Sequence, residues 1–79
     1  MAERTTADET MTRSELAAYL ASLGDEFEGG GDEINVTVGN KTVDLNPPES
    51  VSVSVDVVER SSMLRGNRET ITIELNWKP

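Results

Sequence analysis

The 79-residue chain contains no cysteine and no histidine. Without thiols, neither a disulfide nor a thiolate metal site can staple the fold. Without imidazole, the commonest metal ligand and the usual acid–base group at neutral pH are missing. Aromatic residues are scarce, with one Phe, one Trp and one Tyr. No apolar run approaches the roughly 20 residues that a membrane span needs. The opening "MAERTTADET" lacks the apolar centre of a signal peptide. A soluble, cytoplasmic protein is therefore expected. A chain this short hides only about 60–65 % of its unfolded surface, which predicts one domain over residues 1–79 with little stability in reserve.

What the chain has in plenty is acid. Fifteen Asp and Glu against seven Lys and Arg give a net charge of -8 and a pI near 4.3. At low ionic strength such charge repels itself and opposes the compact state. At about 1 M salt the Debye length is roughly 3 Å and the repulsion is largely quenched. The balance points to a halophilic source. Disorder is the other reading of this composition, and the regular apolar alternation below argues against it.

Residues 1–11 are polar and Thr-rich, and read as either a disordered tail or a fifth, N-terminal edge strand with Arg4, Thr6, Asp8 and Thr10 on one face. "TRSE" at Thr12–Glu15 is a capping box, in which hydroxyl and carboxylate each satisfy a free backbone N–H. Leu16, Tyr19, Leu20, Leu23 and Phe27 follow at helical spacing, with Ser14, Ala18, Ser22 and Asp25 opposite. The spacing predicts a helix over 12–28, ended by the glycines 29–31.

From Ile34 the period becomes two. "INVTV", "GN" and "KTVDL" read as a tight hairpin pairing Val38 with Lys41, Val36 with Val43 and Ile34 with Leu45. "NPPES" is a second turn, across which Leu45 would oppose Val51 and Val43 would oppose Val53. "VSVSVDV" and "ITIELNW" pair Val57 with Ile71, Val55 with Ile73, Val53 with Leu75 and Val51 with Trp77. The sheet over 34–77 is thus expected to be an antiparallel four-stranded meander covered on one face by the amphipathic helix, an α+β two-layer sandwich.

"MTRSELAAYL", "KTVDLNPPES" and the closing "ITIELNW" together resemble the amphi-Trp domain family. The shared features are a charged N-terminal segment, a capped amphipathic helix, alternating strands, and a Trp ending the last of them. The resemblance runs from Glu3 to Trp77 and rests on structural motifs. It implies a family frequent in halophilic archaea, with no established activity and no functional residues to carry over.

The remaining constellations offer little chemistry. Trp77 shares the parity of Ile71, Ile73 and Leu75 and reads as a core or rim residue, while Tyr19 and Phe27 read as helix core. Asp25, Glu26, Glu28, Asp32 and Glu33 flank the glycines but lack the regular ligand spacing of a calcium loop, so no metal is expected. "GGGDE" follows a helix and leads into a strand, the reverse of a phosphate cradle. Ser14, Ser61 and Ser62 have no partner base in any recognisable motif. The chain is read as a non-enzyme without a cofactor.

One segment stands out. "ERSSMLRGNRE" (Glu59–Glu69) gathers Arg60, Arg65 and Arg68 around Met63 and Leu64, in a connection over residues 61–67 that is longer than common hairpin loops. Three readings apply. The arginines pair with Glu59, Glu69 and neighbouring acids on a solvated tip; Met63 and Leu64 fold back near Val58 to cap the sheet; or Arg60, Met63, Leu64, Arg65 and Arg68 form a contact patch, Met and Arg being enriched at interfaces. The expected role is a small acidic interaction module binding a protein partner, or itself as a homodimer, through the 61–68 loop or an edge strand. The alternative is a binder of small anions or nucleic acid. Nucleic acid is disfavoured by the charge of -8 and by the lack of stacking aromatics on the open sheet face.

Overall fold

A computed structural model describes residues 3–29 and 31–79. It holds one helix, α1 (Arg13–Gly29), and four strands, β1 (Ile34–Val38), β2 (Lys41–Leu45), β3 (Ser52–Arg60) and β4 (Arg68–Asn76). The class is α+β, as the periodicity predicts. Two compact units divide the chain, Met1–Pro47 with Pro79, and Pro48–Lys78.

The first unit contains α1 and the β1–β2 hairpin. The capping box forms as read: the Thr12 N–H donates to Glu15 Oε1 at 3.0 Å, and the Glu15 N–H donates to Thr12 Oγ1 at 3.1 Å. The Leu16 N–H reaches the Thr12 carbonyl at 2.9 Å and closes the first turn. At the other end the helix runs to Gly29, while Gly30, the middle of the predicted glycine stop, lies outside the described residues. No basic residue stands in the last turn, so Asp25, Glu26 and Glu28 sit against the negative end of the helix dipole.

β1 and β2 pair antiparallel in the predicted register, Ile34 with Leu45, Val36 with Val43 and Val38 with Lys41. Gly39 opens the two-residue turn at φ 63°, and among the described residues only glycines take a positive φ. Glycine first and a negative φ at Asn40 fit a II′ turn, whose twist matches the flanking strands. Ile34, at 1 % exposure, is the buried hydrophobic centre among the described residues.

The orientation of α1 departs from expectation. Tyr19, Leu23, Glu26 and Phe27 are half-buried, while Leu16 and Leu20 remain 48 % and 47 % exposed. Ala18 and Ser22, predicted on the far side, line a crevice against β1 together with Tyr19, Leu23 and Glu26. The helix is thus turned so that one flank of its apolar stripe meets β1. Polar contacts explain the turn: the Tyr19 hydroxyl donates to the Thr37 carbonyl at 2.7 Å, and the Asn35 N–H donates to Glu26 Oε1 at 2.9 Å.

The predicted N-terminal edge strand does not form among the described residues. Residues 3–12 are irregular backbone, and Met1 and Ala2 lie outside the described residues. Ala7 is the lone apolar side chain in residues 3–10, so a ladder here would bury too little to offset the cost of ordering it. The segment nevertheless runs close to the β1–β2 turn, since a Cβ added at Gly39 would stand 3.0 Å from the Ala7 Cβ.

The second unit is a hairpin of two nine-residue strands. Its register matches the sequence pairing: Val57 with Ile71, Val55 with Ile73 and Val53 with Leu75, ending at Ser52 with Asn76. Val51 and Trp77 fall one residue beyond the ladder, both half-buried. β2 pairs only with β1 and β3 only with β4, in two 2-stranded sheets. The predicted Leu45–Val51 and Val43–Val53 pairs are therefore not formed between described residues. The Pro47–Pro48 connection offers no N–H donor with which to start such a ladder.

The capping box yields a pH-linked expectation. The Thr12 backbone N–H, and after it the Thr12 hydroxyl, favour the ionised Glu15 carboxyl and lower its pKa from the ordinary 4.5. A lowered folded-state pKa contributes stability above the unfolded value and loses it as pH falls through the folded one. Thr12→Ala should cost about 1 kcal/mol in urea titrations at neutral pH. Glu15→Gln, which removes the titrating carboxyl, should flatten the part of the stability profile that declines below pH 4.5; an unchanged profile would remove Glu15 from the cap.

Candidate contact site

The β3–β4 tip is shaped by a local capping device in "SMLRG". The Ser62 carbonyl accepts from the Gly66 N–H at 3.0 Å, and Ser62 Oγ accepts from the Arg65 N–H at 3.1 Å. Gly66 then takes φ 78°, which ends the turn in the left-handed region. Residues 62–66 therefore form one helical turn with a serine N-cap and a glycine C-cap. Ser62 and Gly66 are the site residues that sequence reasoning overlooked. Their signal was present as a serine three residues before Arg65 and four before a glycine.

A single turn cannot bury side chains at its middle positions. Met63 is 104 % exposed and Leu64 97 %. The reading in which these two cap the sheet near Val58 is thereby corrected: the turn holds them in solvent. Such large apolar side chains, fully wet on a pinned loop, are unusual for a purely solvated tip.

The arginines divide between turn and strands. Arg65 belongs to the turn, while Arg60 and Arg68 form the terminal cross-strand pair of the ladder. Directly opposed residues share a face, with Cβ atoms about 5 Å apart. Their two positive charges start from neighbouring points on one face and repel each other unless the long side chains splay apart. Glu59 and Glu69 are likewise directly opposed, and parity sends them to the other face, that of Val57 and Ile71. On the arginine face the nearest hairpin carboxylate is Asp56, four residues from Arg60 and about 13 Å along the strand. None of the three arginines makes an ion pair with a described residue. No ion pair to Glu59 or Glu69 thus forms among the described residues, and the ladder places those glutamates on the opposite face.

Charge is also segregated along the chain. Residues 1–47 carry ten acidic and three basic side chains, a net -7, while residues 48–79 carry five and four, a net -1. The three tip arginines thus stand in the less acidic half.

A crevice of about 350 Å³ lies between α1 and β1. With a two-residue turn, Val38 and Lys41 form a hydrogen-bonded pair, so the backbone groups of Asn35 and Thr37 point away from β2. The Glu26 carboxylate and the Tyr19 hydroxyl take up two of those groups. The polar atoms of the crevice are thus engaged in holding the β1 edge. Among the described residues, no group of three or more carboxylates converges in a metal-binding arrangement. Among the described residues, no helix is long and apolar enough to cross a membrane.

Comparison with known proteins adds one finding. No match appears among curated proteins or among solved structures. The model of the Amphi-Trp domain matches residues 1–79, the full length of the chain, in agreement with the resemblance drawn from the helix cap, the alternating strands and Trp77. The chain belongs to the Amphi-Trp domain family.

Proposed function

We propose that the protein is a small, non-enzymatic interaction module that engages a protein partner through the β3–β4 tip. The observation that carries this reading is the pinned 62–66 turn, which holds Met63 and Leu64 in solvent beside Arg65. Met and Arg are the residue types enriched where proteins meet. Ordering the turn in advance lowers the entropy cost of binding. Replacing Met63, Leu64 and Arg65 together by Ser should leave the circular dichroism spectrum unchanged and abolish recovery of the partner from native lysate at high salt. Equal recovery by the triple variant would reject the reading.

We infer further that the working form is a two-layer arrangement in which α1 covers the apolar face of β3–β4. Val53, Val55, Val57, Ile71 and Ile73 are each 54–69 % exposed, and the second unit contains no helix to cover them. A lone two-stranded hairpin is marginal in water. The Leu16–Leu20 flank of α1 is the matching apolar surface in the chain. A double-mutant cycle with Leu20→Ala and Val55→Ala should show a coupling of at least about 0.5 kcal/mol. Strict additivity would dismiss this cover.

A salt-rich setting is supported by the net charge of -8. The melting temperature should drop between molar and millimolar salt as screening is withdrawn. A melting temperature indifferent to salt would overturn the halophilic assignment.

A further inference from the structure

The geometry points to the Arg60–Arg68 cross-strand pair as a two-pronged receptor for carboxylates on an acidic, leucine-bearing segment of the protein partner, with Met63 and Leu64 seating that segment's apolar side chains. The inference rests on the tip being a protein-contact site, and it names the chemistry that the site reads.

The ladder forces the arrangement. Arg60 and Arg68 face each other at its last rung and therefore leave the hairpin on the same side. Their own acidic neighbours, Glu59 and Glu69, leave on the opposite side, so the hairpin itself supplies no bridging anion at this rung. Each planar guanidinium offers paired N–H donors that match carboxylate oxygens, and the shared rung lets both reach one acidic segment. A bound acid would relieve the mutual repulsion of the two arginines. Val58, the next residue on that side of β3, is half-buried and stands between the pair and the exposed strand residues 52–57.

A phosphate ion would engage the arginines but leave Met63 and Leu64 in water. Nucleic acid would need bases to stack, and the single tryptophan, Trp77, follows the far end of β4, about 30 Å along the strand from Arg68. The juxtaposition of two arginines with two wet apolar side chains fits a segment that alternates carboxylates with leucine.

The test titrates the isotope-labelled full chain at fixed high salt with a synthetic peptide alternating Leu with Asp and Glu. The comparison probes are the same peptide carrying Asn and Gln, inorganic phosphate, and an oligothymidylate. The acidic peptide is expected to shift the Arg60 and Arg68 Nε–H signals and the Met63 methyl. Arg60→Gln with Arg68→Gln should weaken its binding roughly tenfold or more. Arg60→Lys with Arg68→Lys, which keeps the charge and removes the fork, should weaken it less and serves if the glutamine variant does not fold. Equal shifts from the amide peptide, larger shifts from phosphate or oligothymidylate, or full affinity in both double variants would overturn the inference. If the Ser triple variant loses the native partner while the arginine variants keep it, the receptor is rejected and the tip reading stands. If the triple variant keeps the partner, the tip reading itself falls.

Discussion

Successive side chains of an extended strand leave it on alternate sides, and the β3–β4 ladder turns that rule into a sorting device. Odd-numbered positions from Val53 to Val57 and from Ile71 to Leu75 give one apolar side. Even-numbered positions from 52 to 56 and from 70 to 76 carry Ser, Asp, Thr, Glu and Asn on the other, with Val58 the one apolar residue among the even positions. At the last two rungs the same rule separates charges by sign, glutamates to the apolar side and arginines to the polar one. A one-residue slip would exchange the two sides of a strand and mix both sets. The apolar rungs that fix the register are thus also what set Arg60 beside Arg68.

Much of this was legible in the sequence because local and long-range preferences agree. The capping box fixed the helix start to within one residue, and the two hairpin registers follow from matching apolar positions around the turns. The 61–67 connection was read with its bounds intact. What the residues did not disclose was the rotation of α1. An apolar stripe of five residues on a 17-residue helix is wide enough to present either flank. The choice was made by the polar tips of Tyr19 and Glu26, which find open backbone groups on β1. Helical periodicity alone carries no information about such groups. The predicted N-terminal strand failed for a related reason: alternation without an apolar side gives a strand nothing to bury.

The tip shows how a short motif can be overlooked inside a charge pattern. Attention to Arg60, Arg65 and Arg68 hid the serine and glycine that shape the segment between them. The two hydrogen bonds that Ser62 accepts, one at its carbonyl and one at its hydroxyl, turn the seven-residue loop from a flexible tether into a fixed mount. The cost of ordering it is then met by folding and not by binding, which suits a site with few contact residues.

The engagement of β1 by the helix has a consequence for self-assembly. Open strand edges invite further strands, the first step toward runaway fibres. An incoming chain at β1 would have to evict a phenol and a carboxylate already occupying its docking points. The outer margin of β2 carries no such guard from the helix, so any growth of that hairpin is steered to one side.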